Sequence, residues 1–190
     1  MSLLEKVSLP EGARGPWIIS RFTVSENDAV ASLFSYGSRS PRPGTYTKLT
    51  RNGKLVMSDT PAEMHDHFSA VLNARGHCLI NGLGIGMVLR AILRKSEVTA
   101  VTVVEISREL VELVSPYYAD QRASFVVADA YEYQPPKGLR YGMVWHDIWD
   151  DICADNLEGM KKLHRKYGRR ADWQGSWCKY QCERANARWR

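Results

Sequence analysis

Three observations predict an α/β fold built on a doubly wound parallel sheet. A glycine turn stands between an apolar run and an apolar-periodic segment over Leu79–Leu93. Short β-branched runs then alternate with helical periodicity. Each run closes on an acidic or amide residue at its carboxyl end, near positions 81, 105, 128 and 146. Alternating strands and helices imply parallel strands joined by crossovers.

Ahead of that block, residues 1–57 read as a small β-rich element. Trp17–Val24 predicts a strand, and residues 45–49 and 54–57 flank Asn52-Gly53. Asn-Gly supplies the positive φ angles of a two-residue hairpin turn. Residues 38–44 read as a loop rich in proline and serine. Pro61 to Leu72 predicts a helix, with Thr60 as cap and Pro61 at the first helical position.

Residues 58–155 form the Rossmann-like core. Gly82, Gly84 and Gly86 alternate through the turn, where only glycine takes positive φ freely and lets a ligand approach the main chain. Val98–Val104 predicts the second strand, ending in Glu105 nineteen residues after Gly86. A carboxylate there is placed to accept hydrogen bonds from ribose hydroxyls. Ser107 caps a helix expected through Tyr118. Ser124–Ala128 predicts the third strand, ending at Asp129-Ala130, and Tyr141–His146 the fourth, ending at Asp147. His146 points to the face opposite Asp147 and reads as structural.

This order of glycine loop, Glu105, Asp129-Ala130 and Asp147 resembles the class I S-adenosylmethionine methyltransferase superfamily, and within it the spermidine synthase branch. The resemblance covers roughly residues 44–151. Val88-Leu89-Arg90 is similar to that branch's loop-to-helix sequence, and Val103–Ile106 to its second strand. Asp147-Ile148-Trp149-Asp150 keeps both aspartates of its Asp-Ser-Ser-Asp motif, and His65-Asp66 stands where it has His-Glu. The resemblance implies that Gly82, Gly84 and Gly86 lie against the amino-acid end of S-adenosylmethionine. It implies Glu105 on the ribose, Asp129 on the adenine amino group and a backbone N–H of Ala130 on the ring. Asp147 is then the residue at the reacting edge, with Asp150 and Asp151 attracting a cationic acceptor. The branch's glycine-loop aspartate, which holds the ligand's amino end, is Ile85 here. That exchange is expected to leave the loop's amides free for the carboxylate of S-adenosylmethionine. With some 40 residues after the fourth strand, a C-terminally shortened sheet is expected.

Residues 156–190 read as a basic, tryptophan-rich helical segment that completes the core. The chain carries a formal charge of +5, yet residues 1–155 hold 16 Lys and Arg against 18 Asp and Glu, and the tail 10 against 3. Asp155–Glu158 resembles a capping box for a helix to Gly168. Lys161, Lys162, Arg165 and Lys166 share a face, and Trp173, Trp177, Trp189, Arg188 and Arg190 follow. Cations interleaved with aromatics suit nucleic-acid contact, but a solvated helix face with tryptophans packed on the sheet is the reading favoured here. Four cysteines without paired spacing, no signal-peptide layout and no apolar run near 20 residues predict a cytoplasmic chain without a membrane span. Cys178 and Cys182 read as free thiols, and no metal site is expected. A homo-oligomer is left open.

Three functions compete on this sequence. The first is a methyltransferase using S-adenosylmethionine and a small acceptor. The second is an aminopropyltransferase using decarboxylated S-adenosylmethionine and a polyamine, with methylthioadenosine as its nucleoside product. The third is a non-catalytic nucleoside-binding module whose basic tail engages nucleic acid or a partner protein.

Overall fold

The computed structural model describes residues 4–36 and 39–187, with no account of the side chains of 34–36. Trp189, Arg188, Arg190 and the start of the 38–44 loop therefore lie outside the described residues. An antiparallel sheet comes first, in the order β1 (Gly12–Arg14), β2 (Trp17–Val24), β3 (Gly44–Arg51), β4 (Lys54–Ser58). Asn52 and Gly53 turn β3 into β4 with φ of 51° and 79°, as the Asn-Gly signal requires. Helix α1 (Glu26–Tyr36) bridges β2 and β3 in a region whose sequence reads as irregular. Asp28 accepts from the hydroxyl and amide of Ser25, closing its first turn.

The expected helix over Pro61–Leu72 is two helices, α2 (Pro61–Asp66) and α3 (Phe68–Asn73), broken at His67. Thr60 precedes α2 without donating or accepting a side-chain cap bond. The break turns the His67 side chain inward to complete burial.

The central sheet runs β7-β6-β5-β8-β9, every neighbouring pair parallel. Its strands are β5 (Gly76–Asn81), β6 (Val98–Glu105), β7 (Ala123–Val127), β8 (Tyr141–His146) and β9 (Ala171–Ser176). Helix α4 (Met87–Leu93) crosses from β5 to β6, and α5 (Arg108–Val114) from β6 to β7. Ser107 caps α5 by accepting from the Leu110 amide, 3.2 Å. The expected run to Tyr118 ends as a 3-10 turn over Ser115–Tyr118, where Pro116 cannot continue the hydrogen-bond ladder. Helix α6 (Asn156–Tyr167) crosses from β8 to β9, and α7 (Lys179–Ala187) follows. The third crossover has no helix: Pro135-Pro136 sits in it, and it runs as turns. The tail is likewise not wholly helical, because β9 extends the sheet beside β8. Asp155 makes no side-chain cap bond, so the capping box does not form.

Strands buried on both faces need continuous apolar runs. Cys78, Ile80, Val101, Val103, Met143 and Trp145 join one core with α4, α5 and the antiparallel sheet's Trp17, Ile19, Leu49 and Met57. Leu79, Val104 and Val144 join a second with Leu163 and Tyr167 of α6. The strand order reverses at β5, with β6 and β7 laid down on one side and β8 and β9 on the other, which opens a crevice at the carboxyl ends of β5 and β8.

A buried polar row lies beneath α6. Asn81 Nδ2 donates to His146 Nδ1 at 2.8 Å, which leaves Nε2 to carry the hydrogen toward Gln174 Oε1 at 3.4 Å. Both nitrogens are served only while the ring is neutral. Burial, and then the neighbouring His164, push His146 down to about 3. Between an ordinary value near 6.5 and that level, the unfolded chain binds a proton that the folded site refuses, so this contribution is lost as pH falls. His146→Gln is therefore expected to be less stable than the unmodified chain near pH 7.5. The gap should shrink as pH drops from about 6.5 to 4.5, read from urea midpoints. A constant gap would remove the titration argument.

Candidate functional site

A cavity of about 260 Å³ opens at the carboxyl edge of β5, β6, β7 and β8, roofed by the antiparallel sheet. Its walls include Gly82, Gly84, Glu105, Asp129, Ala130, Asp147 and Asp150. The structure thus gathers seven of the eight sequence-selected residues around one space. Gly86 stands apart: at φ 72° it starts α4, and a Cβ there would meet the Tyr118 ring at 2.3 Å. Its glycine serves the packing of helix on turn.

The other two glycines answer to close approaches. A Cβ on Gly82 would stand 1.9 Å from the Asp147 carbonyl, and one on Gly84 2.4 Å from Met57 Sδ. Met57, on β4, packs directly on the loop, and the Ile85 amide donates to its sulfur at 3.3 Å. The Leu83 amide donates to Glu105 Oε2 at 2.9 Å. The loop amides of residues 83 and 85 are therefore engaged, contrary to the expectation that they stand free. Ile85 itself is buried in the core and does not face the cavity.

Glu105 closes β6 with its second oxygen accepting from the Ser107 amide, 2.9 Å. Burial raises its pKa, and the amide bonds hold it back. With about four acceptor sites on a carboxylate and backbone amides of Leu83, Ser107 and Ile106 directed at it, Glu105 keeps acceptor capacity for a hydroxyl donor. Asp129 Oδ1 accepts from the Tyr131 amide at 2.7 Å, which shapes the turn carrying Ala130. Lys166 supports the same turn from below, donating to the carbonyls of Ala130 and Tyr131 at 3.2 and 2.7 Å.

Asp147 is the most strongly perturbed carboxyl. Its side chain is 15% exposed. Burial, then the charges of Glu63, Asp66, Glu105 and Asp150, push its pKa well above the ordinary value. Asp150 and Asp151 do not add unpaired charge: Arg51 donates to Asp150, and Lys54 to Asp151 at 2.5 Å. Arg51 also lies 5.3 Å from the Trp17 ring.

Sequence reading missed three participants. Glu63 lines the cavity, held by the amide and hydroxyl of Ser58 at 2.8 Å each, and burial raises its pKa. His67 places Nδ1 3.8 Å from Asp147 Oδ2. Met57 covers the loop. Selected instead, His65 is exposed, and Asp66 is taken by a paired contact from Arg39 at 2.9 and 2.6 Å. Trp17, Trp149, Trp177 and Tyr131 add aromatic wall.

Part of the tail's chemistry is spent inside the protein, while Lys161, Lys162 and Arg165 stay exposed. Lys166 points inward, Lys162 pairs with Glu158 at 3.1 Å, and Trp173 stacks on Trp145 with centroids 6.2 Å apart. Cys178 and Cys182 are free and buried. Among the described residues no group of three or more His, Cys, Asp or Glu could hold a metal ion. No helix among them is long and apolar enough to cross a membrane.

A carboxyl whose pKa rises on folding costs stability as pH climbs through its native value, and costs nothing below its unfolded value near 3.8. Asp147→Asn should therefore melt higher than the unmodified chain near pH 8. About 1 kcal/mol corresponds to about 2–4 °C in a chain of this size. The difference should close toward pH 4; melting curves at both ends of that range check it.

No family model matches the chain, and no curated protein matches it. Among solved structures it is similar to spermidine synthase from Thermotoga maritima, with TM-score 0.46 and 17% identity over 81% of this chain and 52% of that one. It is similar to the 23S rRNA methyltransferase ErmE, with TM-score 0.46 and 17% identity over 59% of this chain and 43% of that one. For the N-methyltransferase NodS from Bradyrhizobium japonicum WM9 the TM-score is 0.49, with 12% identity over 66% and 74% of the two chains. The chain spans about half the length of the first two. The likeness is one of chain path, at low identity throughout.

Proposed function

We propose that this chain is a transferase that binds an adenosyl sulfonium in the crevice and passes one of its sulfur-bound carbon groups to an amine. The observation that carries this reading is the convergence, in one cavity, of Glu105, Asp129-Ala130 and the buried Asp147 from three successive strand ends. Glu105 would receive the ribose hydroxyls, and the Asp129-Ala130 turn the adenine edge. The bound sulfonium supplies an already activated carbon. The protein's share is alignment and removal of one proton. Asp147 is the group placed for that proton. Carboxylates and aromatic faces both attract cations, so Glu63, Asp147, Trp149 and Trp177 favour an amine that arrives charged.

Methyl transfer from S-adenosylmethionine is the reading the sequence favours. One observation supports the runner-up. With the Leu83 and Ile85 amides engaged by Glu105 and Met57, a ligand carboxylate would meet acids and no free loop donor at those two positions. Decarboxylated S-adenosylmethionine presents only an ammonium, which suits that wall. The geometry therefore favours aminopropyl over methyl transfer.

Calorimetry with S-adenosylmethionine, its decarboxylated form and methylthioadenosine tests both levels. The decarboxylated ligand should bind at least about tenfold tighter than S-adenosylmethionine, a difference near 1.4 kcal/mol. Tighter binding of S-adenosylmethionine would return the assignment to methyl transfer. Glu105→Ala removes a charged acceptor worth about 1.5–3 kcal/mol per hydrogen bond, so affinity for all three should fall at least tenfold. Absence of saturable binding by any of them would sink the transferase reading.

A further inference from the structure

His67 is wholly buried, and neither of its ring nitrogens has a hydrogen-bond partner among the described residues. Leaving a buried polar group unpaired costs its full desolvation, so such a side chain calls for a reason. Its place is set by deliberate-looking local structure: the ring occupies the break between α2 and α3, and Trp145 holds it edge to face with centroids 5.9 Å apart. From there Nδ1 faces Asp147 Oδ2 across 3.8 Å. That is about 1 Å beyond a hydrogen bond, a gap that one side-chain adjustment closes.

We propose that His67 is a positioning residue for Asp147, the two side chains holding one proton between them and releasing the carboxylate when a cation docks against it. In the resting pair Asp147 carries the proton and the imidazole is neutral. On docking, the Asp147 O–H bond breaks and an N–H bond forms at Nδ1, which leaves carboxylate beside imidazolium with no change in total charge. The carboxylate can then take one proton from the acceptor's ammonium group, freeing its nitrogen lone pair. The pairing is a property of the unliganded protein; its use in transfer rests on the reading above.

The surroundings agree with this division of protons. Burial pushes His67 down to about 4 and Asp147 up, so both neutral forms are favoured at rest. The charged or titratable groups facing the pair are Glu63 and Asp66 of α2, Arg39 beside Asp66, Glu105 of β6, Asp150 after β8 and Cys178 before α7. Asp66 favours the imidazolium, while Arg39, tied to Asp66, opposes it. A docked cation tips this balance by stabilising the carboxylate.

Histidine nitrogen NMR on the full-length, 15N-labelled chain tests the pair directly, with the His67 signals assigned by their loss in His67→Asn. In the unmodified protein near pH 7, Nδ1 of His67 should resonate close to its neutral position, displaced from it by the hydrogen bond it accepts from the Asp147 carboxyl. Adding 1,4-diaminobutane should move it toward the protonated end. In Asp147→Asn, which removes the buried titratable group and should fold at least as well, the signal should sit at the neutral position and ignore the diamine. His65, His77, His146 and His164 serve as internal controls. A His67 signal at the neutral position in both proteins, unmoved by diamine, overturns the proposal. Should no adenosyl ligand bind while His67 still follows Asp147, the pairing stands and the transferase reading falls. Nucleoside binding with a silent His67 has the opposite meaning.

Discussion

At residue 82 the chain passes so near the Asp147 carbonyl that no side chain fits, and on this contact the site depends. The Gly82 amide donates to the Val104 carbonyl and the Asp147 amide to that of Asn81, each at 2.8 Å. These bonds knit β5, β6 and β8 together past the last regular pairs. They fix Asp147 beside the glycine loop and Glu105 beneath it. Any larger residue at 82 would force β8 away and carry the carboxylate with it. The glycine is thus required by the approach of two strands, before any ligand is considered.

Around that point the protein concentrates carboxyl groups and then treats them differently. Glu105 and Glu63 are anchored by amides and hydroxyls, Asp66 by Arg39, Asp150 by Arg51. Burial is the dominant influence on Glu63, Glu105 and Asp147 alike, but of the three Asp147 is the one that faces an imidazole. Carboxyls with different partners take on different protonation, which is how one small space can hold both a ribose acceptor and a proton acceptor.

Much of this was legible in the sequence because local chemistry wrote it there. Asn52-Gly53 demands its turn, the β-branched run to Glu105 demands a buried strand, and three alternating glycines mark the loop. Strand β9 was not legible: Ala171–Ser176 is polar and carries Gly175, and it is a strand because β8 offers an open edge. Helix α1 was hidden by a segment with a weak apolar stripe. His67 was lost inside a pattern that reads as one continuous helix, and only the break reveals which way the ring turns. Met57 and Glu63 were missed for a related reason. Their part in the site comes from the antiparallel sheet and α2 folding over the crevice, contacts that span some 28 residues or more in the case of Met57 and Ile85. The segment after β8 stands at the expected strand end, but the pairing of its Asp150 and Asp151 was not legible, since Arg51 and Lys54 lie about a hundred residues earlier.

The roof and the floor of the cavity are joined by unequal means. At its root the antiparallel sheet shares the main core through Ile19 and Leu49, and beside its tip through Trp17, which pairs with Arg51 and donates from Nε1 to Ser107 Oγ at 2.8 Å. At its tip, the β3–β4 turn is fastened to the loop after β8 by the Arg51 and Lys54 ion pairs, whose side chains keep substantial contact with solvent. Exposed pairs of this kind are worth about 0–1 kcal/mol each, far less than the burial at the root. The turn is thus held twice over, by the buried Trp17 ring beside it and by two weak pairs at its end. Salt can therefore loosen the charges at the rim, whereas the ring beside them is kept in place by a force that salt does not screen.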